Sequence, residues 1–282
     1  MQNGRASVTA DGVAMLRAVH QLADHPKAFD DPLAVPILGV PLPTPSPEEV
    51  RQEHPGWRSL RAHIVGRSRH AEEELKKAVQ RGATQYVILG SGLDTFAYRN
   101  PYAEFLRVYE VDFPSSQARK LEKLKTAGIQ VPPNVSFIPV DFEQATPELQ
   151  LRRAGFQPGE ITFFSWLGVT CYLTDNGFSA MIGFIAGMPE ESSLVFDFFV
   201  PKSYLPPGEQ AVFERLAAEA ASLGEPYRLF FEPHRLMKQL TEAGFRHTDC
   251  LDRSDINRRY FGGRSDDLRV RSRLIRLLTV VR

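Results

Sequence analysis

From residue 85 onward, short apolar runs alternate with longer charged stretches of helical period. QYVILG (85–90), LRVYEVD (106–112), VSFIPVD (135–141), ITFFSW (161–166), SSLVFDFF (192–199), FRHTDCL (245–251) and RLIRLLTVV (273–281) predict strands. Between them, SSQARKLEKLKTAG (115–128), TPELQLRRAG (146–155), TDNGFSAMIGFIAG (174–187) and the stretches 209–222 and 234–243 predict helices. Near-continuous apolar strands separated by helices are the pattern of a sheet covered on both faces. The expected fold is therefore α/β: a doubly wound, mostly parallel sheet of seven strands.

The first third of the chain has another texture. Residues 9–24 predict a helix, and the proline-rich DDPLAVPILGVPLPTPSP (30–47) predicts an extended connection. Residues 48–81 predict one long helix, in which Glu73 stands four residues before Lys77, the favourable order for a helical ion pair. This stretch cannot pack alone, so residues 1–82 are expected to form a helical lid over the carboxyl edge of a core spanning 83–282, all within a single domain. The long segment 200–233 is expected to insert as a second wall of a substrate pocket.

Composition narrows the function classes. Thirty-four basic side chains balance thirty-four acidic ones in 282 residues, which argues against a dedicated nucleic-acid or membrane-surface protein. The C-terminal arginines are interrupted by Asp252, Asp255, Asp266 and Asp267 and read as a solvated face. Cys171 and Cys250 make no disulfide framework and are expected to be reduced. The N-terminus lacks the basic-then-apolar build of a signal peptide, and the longest apolar run is too short to span a bilayer. A cytoplasmic protein, monomeric or homodimeric, is expected. None of the seven histidines has metal-ligand spacing, so no metal is expected.

The candidate chemistry lies at the strand ends. Gly90-Ser91-Gly92 follows the first strand, where glycine permits a tight turn and close approach of a ligand to the backbone. Asp112 ends the second strand, 22 residues after Gly90, a spacing that suits a carboxylate for a ribose diol. Asp141 ends the third. Each alone is equally a turn or a cap; three on consecutive strands point to a nucleotide. A dinucleotide fingerprint requires a third glycine where Thr95 stands, and the Asp94 carboxylate beside it would repel a pyrophosphate. Even if Asp94 only caps the following helix, it disfavours NAD.

These residues resemble the class I S-adenosylmethionine-dependent methyltransferases, specifically the leucine carboxyl methyltransferase-like family and its bacterial small-molecule O-methyltransferase branch. SVTADGVAMLRA, FDDPLA, GRSRHAEEEL, VILGSGLDTFAYR, VYEVDFP, SWLGVTCYLT and YFGGRSDDLR are each similar to a landmark of that branch, nearly end to end. The resemblance implies a Rossmann-like methyltransferase fold with S-adenosylmethionine as cofactor. It implies that Gly90, with Ser91 and Gly92, faces the cofactor's methionine part, that Asp112 with Phe113 holds the ribose, and that Asp141 with the backbone of Phe142 reads the adenine. Arg67, in the lid helix, would clamp the cofactor's carboxylate, with a substrate carboxylate as a second candidate partner. The family places a glutamate after the fourth strand for the amino group; Leu167 stands there, or Trp166 if the register slips by one, which leaves backbone carbonyls near Gly90 or Ser165 as acceptors.

Methyl transfer merges a cation with a nucleophile, so a dry, apolar site and good positioning favour it. Trp166, Tyr172 and Tyr204 are the expected pocket wall for a small-molecule acceptor. A carboxylate acceptor requires no general base, whereas a hydroxyl does. His234 is the histidine best placed along the chain to face substrate, although a surface role suits it better. Two alternatives stand beside this reading: an NAD(P)-dependent oxidoreductase on a similar sheet, and a non-catalytic module that binds S-adenosylmethionine. A nucleic-acid methyltransferase is disfavoured, because no Asn/Asp-Pro-Pro-Tyr motif is present.

Overall fold

All seven apolar runs form strands in the computed structural model, which describes residues 8–282. They are β1 (Gln85–Leu89), β2 (Arg107–Asp112), β3 (Val135–Pro139), β4 (Thr162–Trp166), β5 (Ser193–Phe199), β6 (His247–Leu251) and β7 (Ile275–Val281). They pair in the order β3-β2-β1-β4-β5-β7-β6. The first five run parallel, while β7 is antiparallel to both β5 and β6. The chain starts mid-sheet, winds outward through β2 and β3, then returns to β4 and winds the other way. That reversal opens a crevice at the carboxyl ends of β1 and β4. Because β7 is antiparallel, its first residues also stand on the carboxyl edge.

The helices are α1 (Val8–Ala23), α2 (Pro47–Gln52), α3 (Pro55–Gln80), α4 (Pro114–Thr126), α5 (Glu148–Arg153), α6 (Asp175–Ala186), α7 (Pro207–Ser222), α8 (Pro233–Glu242) and α9 (Arg253–Tyr260). Two of these depart from expectation. The long helix expected over 48–81 is broken in two, because Pro55 forces His54 out of the helical region (φ −57°, ψ 129°). Pro55 then opens α3, and the His54 ring accepts from Gly56 N at 3.1 Å. The second is α9, within a stretch expected to be a solvated arginine face. Asp252 caps it by accepting from Ser254 N and Asp255 N, and it buries only Ile256 and Tyr260. Arg269, Arg271 and Arg273 lie before β7 and pair with Asp267 or Glu209.

Alternation along the strands divides the core. Val87, Leu89, Val111, Phe164, Trp166, Phe196 and Leu278 face α6 and α8. Tyr86, Ile88, Val108, Phe163, Val195 and Leu277 face the other way, against Ala62, Val65, Ala71, Leu75 and Ala78 of α3 and Ile256 of α9. A helix of 26 residues extends roughly 39 Å at 1.5 Å per residue. It crosses the sheet from the carboxyl end of β5, where Arg67 meets Asp197, to its amino end, where Arg81 meets Ser193. The stretch expected as a lid therefore also supplies one covering layer of the sheet.

Candidate functional site

The turn after β1 depends on two glycines in the left-handed region, Gly90 at φ +70° and Gly92 at φ +45°. Both Gly90 N and Ser91 N donate to Val111 O, at 2.7 and 3.1 Å, which ties the turn to β2. Asp112 at the end of β2 then binds the turn from the side. Its Oδ2 accepts from Gly92 N at 2.6 Å and its Oδ1 from Phe113 N at 2.7 Å. The Asp112 side chain is buried, and burial pushes its carboxyl above the usual range; the two N–H donors and the Lys120 charge offset part of the rise. A carboxylate offers about four acceptor sites, so two remain for a ligand. A Cβ at Gly90 would stand 2.3 Å from Val169 Cγ2, so the loop after β4 closes directly on the turn.

A single 3-10 turn, Phe96–Tyr98, follows the glycines in place of the helix expected there, whose N-terminus a dinucleotide's pyrophosphate would need. Asp94 caps this turn, accepting from Phe96 N at 2.8 Å. Thr95, which displaces the third glycine of a dinucleotide fingerprint, is fully buried. Its hydroxyl donates to Asp31 at 2.8 Å and accepts from Arg17 NH2 at 2.7 Å. Arg17 also pairs with Asp31 and reaches Leu93 O at 3.3 Å, while Arg99 Nε lies 3.2 Å from Asp31. Burial would raise the Asp31 carboxyl, but the Arg17 and Arg99 charges outweigh it and hold the group ionised. The N-terminal segment is thus fastened to the turn at the position where a fingerprint would need glycine.

The other expected residues separate into two sets. Asp141 sits at the tip of β3 but closes its own turn, accepting from Glu143 N at 3.0 Å and Gln144 Nε2 at 2.9 Å. Phe142 packs its edge on Trp166, with centroids 6.2 Å apart. Ser165 is buried with its hydroxyl 2.8 Å from Tyr86 OH, so its side chain is engaged in the core and only its backbone is left for a ligand. Trp166 does not wall an acceptor pocket. It is fully buried and stacked on Phe178 at 5.6 Å, because it shares the strand face of Phe164, which points into the core. Tyr172 is half-buried beside Tyr227, with centroids 5.7 Å apart. Tyr227 also meets Phe199 and Phe213, so segment 200–233 does bring aromatic rings to the carboxyl edge. Tyr204 is 40% exposed, and His234 is exposed at the start of α8.

Tyr204 borders a cleft of about 310 Å3 lined also by Val200, Asp252, Arg253, Ser254, Arg273 and Arg276. These residues follow β5 and β6 or open β7, which places the cleft on the carboxyl edge of the sheet's second half.

Sequence reasoning missed a second cluster, at the end of β5. Asp197, 3% exposed, accepts from Arg67 NH1 at 2.6 Å through Oδ2 and from Gly168 N at 2.6 Å through Oδ1. Gly168, at φ +73°, has no room for a side chain, since a Cβ would meet the Arg67 guanidinium at 2.8–3.2 Å. Burial alone would raise the Asp197 carboxyl; the Arg67 charge and the Gly168 N–H overcome it and hold the group well below the ordinary range. His63, one turn before Arg67, is buried with Nε2 3.6 Å from Asp197, and neither ring nitrogen has a hydrogen-bond partner among the described residues. Burial depresses its basicity, so the ring is neutral. The signal available in the sequence was one acid inside the apolar run SSLVFDFF, because a buried charge must find a partner.

Comparisons with known proteins agree with this arrangement. The family model for leucine carboxyl methyltransferase matches residues 10–186. The chain is 31% identical over 291 aligned positions to YktD of Bacillus subtilis (strain 168), described as a candidate S-adenosyl-L-methionine-dependent methyltransferase, with 95% of each chain covered. In fold it is similar to a methyltransferase candidate from Thermobifida fusca YX, at TM-score 0.59 and 14% identity, covering 100% of this chain and 96% of that one. It is also similar to a DUF574 family protein from Streptomyces avermitilis MA-4680, at TM-score 0.54 and 13% identity, covering 99% and 98%. No helix of the described residues is long and apolar enough to cross a membrane. The seven-stranded sheet with β7 reversed, the glycine turn braced by Asp112 and the family match meet in one conclusion: the chain belongs to the leucine carboxyl methyltransferase family and is an S-adenosylmethionine-dependent methyltransferase of the class I fold.

Proposed function

We propose that this chain methylates an oxygen of a small organic acceptor, with a carboxylate as the preferred group. When bound, S-adenosylmethionine supplies a methyl group on a sulfonium, open to in-line attack. The chain's own residues fit this cofactor. Gly90 and Gly92 present backbone at the turn, Val169 covers the bare Cα of Gly90, and the buried Ser91 Oγ has no hydrogen-bond partner among the described residues. Asp112 keeps two acceptor sites for the ribose hydroxyls, next to the backbone of Phe113, and Asp141 with Phe142 stands one strand further out for the adenine. Arg67 takes the cofactor's carboxylate from the α3 side, and the N-terminal helices close the crevice to water. The acceptor enters past Tyr172 and the 200–233 segment.

One observation carries the carboxylate preference: the carboxyl-edge cleft is lined by Arg253, Arg273 and Arg276. Guanidinium groups pair with carboxylates in a two-pronged geometry. An ionised carboxylate also attacks without a base. A hydroxyl acceptor is the second reading, favoured by His63, a buried neutral imidazole with unpartnered nitrogens beside Asp197. One experiment separates the two. The protein is incubated with methyl-labelled S-adenosylmethionine and a panel of aromatic and aliphatic acids, phenols and alcohols, and the product is treated with mild alkali. An ester releases its label as methanol, whereas an ether does not. Transfer only to phenols, with alkali-stable product lost in His63→Gln, would overturn the carboxylate reading.

A further inference from the structure

The Arg67–Asp197 pair supports an inference that rests on the cofactor reading above and deepens it. We propose that Asp197 is the acceptor for the ammonium of the cofactor's amino-acid tail, so that Arg67 and Asp197 form a two-sided clamp for a zwitterion.

Four observations combine here. First, the pair is in the right place. Asp197 is bound to the N–H of Gly168, and the next residue, Val169, lies against Gly90. The clamp is therefore one residue along the β4 loop from the turn that faces the methionine part. Second, the pair is built and dry. Both side chains are over nine-tenths buried, and Gly168 admits the guanidinium only because it lacks a Cβ. Third, acceptor and donor capacity remain. Asp197 has one hydrogen bond on each oxygen, and no second acceptor binds the Arg67 guanidinium among the described residues. Fourth, the neighbouring loop has no other acid: Leu167 packs into the apolar cluster under α3.

The electrostatics favour the same assignment. A lone charge in a dry site is costly, and a charge paired with its opposite far less so. The Arg67–Asp197 pair is neutral as a whole, and so is the α-amino-acid group. Placing the zwitterion against the pair gives carboxylate to guanidinium and ammonium to carboxylate, with no net charge added. Arg67 alone would satisfy the carboxylate and leave the ammonium unpaired in the same dry space. Another acid near the turn, Asp94, has an oxygen committed to the Phe96 N–H.

The test is calorimetric and requires no turnover. Four probes are titrated: S-adenosylhomocysteine, its deaminated analogue, its decarboxylated analogue, and 5′-methylthioadenosine, which has neither group. The wild-type protein should bind S-adenosylhomocysteine at least 30-fold more tightly than the deaminated analogue. Asp197→Asn keeps an acceptor for Gly168 N. It should weaken S-adenosylhomocysteine and the decarboxylated analogue about 30-fold, and the other two by less than threefold. Arg67→Gln should show the converse pattern, and Asp94→Asn should keep the wild-type discrimination for the amine. A loss of amine discrimination in Asp94→Asn instead, or an equal loss on all four probes in Asp197→Asn, overturns the clamp. If Asp197→Asn does not fold, the wild-type ratio still decides: discrimination of less than threefold against the deaminated analogue refutes the proposal. Failure of the wild-type protein to bind any probe would refute the cofactor assignments themselves.

Discussion

Gly90 and Val169 are packed so tightly that a Cβ on Gly90 would lie 2.3 Å from Val169 Cγ2. The contact joins the turn after β1 to the loop after β4 across the switch point of the sheet. Gly90→Ala must therefore meet two penalties. A side chain in the left-handed region costs roughly 1–2 kcal/mol, and overpacking costs roughly 1–3 kcal/mol. The variant should lose about 2–5 kcal/mol in urea unfolding. Adding Val169→Ala should restore the overpacking share and leave the backbone share. If the double variant is no more stable than the single one, the contact is not the source of the loss.

Much of this site was legible because its residues are fixed by position along strands. Asp112 ends a strand and Gly90 and Asp141 lie within two residues of one, and strand ends can be located from apolar runs alone. What the sequence concealed has physical causes. Asp197 looked like filler in an apolar strand, because its partners Arg67 and Gly168 are 130 and 29 residues away. Helix α9 has only two apolar anchors, too few to reveal a period. Trp166 was assigned to the pocket by residue type, although its parity with Phe164 pointed it into the core. Thr95 looked like a missing glycine, and the buried Arg17–Asp31–Thr95 cluster shows what it does instead.

Asp112 braces the glycine turn and is assigned the ribose hydroxyls, and these two roles can be separated. Asp112→Ala should weaken S-adenosylhomocysteine by about 1.5–3 kcal/mol, the range for hydrogen bonds to a charged group. If the diol is the partner, S-(2′,3′-dideoxyadenosyl)homocysteine should bind wild type and variant with nearly equal affinity. A penalty of the same size with the dideoxy ligand would assign Asp112 to the turn alone.

Lys120 reaches from α4 to Glu110 on β2 at 2.7 Å, with both side chains almost wholly excluded from water and Tyr98 OH donating to Glu110 at 3.0 Å. Burial raises the Glu110 carboxyl, and the Lys120 charge is what counters it. Lys120→Met leaves that carboxylate unpaired and should cost about 3–5 kcal/mol. Glu110→Gln in the same chain keeps an acceptor for Tyr98 and removes the stranded charge, so the double variant should recover most of the loss. Thermal unfolding of the three variants at pH 7 measures the coupling. Simple additivity of the two single changes would show that the pair is not coupled.

Acid should destabilise the protein at a higher pH than its carboxylates alone would dictate. His63 and His70 are both buried, and burial depresses the basicity of each below its ordinary value of 6.5. His70 lies between Tyr260 OH at 2.7 Å and Thr279 Oγ1 at 2.8 Å, and His63 lies beside the Arg67 charge. The unfolded chain binds a proton at each ring as pH falls through 6.5, while the folded chain resists it. Below that point the unfolded state holds more protons, so stability falls as pH falls. Each histidine contributes a slope of up to about 1.4 kcal/mol per pH unit until its folded form also titrates. Urea midpoints from pH 8 to 4.5 should therefore be flat above 7 and decline below 6.5. His70→Gln keeps a donor and an acceptor for its two hydroxyl partners, so it should remove part of that slope while leaving the protein folded at pH 7. A profile for His70→Gln that runs parallel to wild type from pH 6.5 to 4.5 would show that this ring does not set the acid limit.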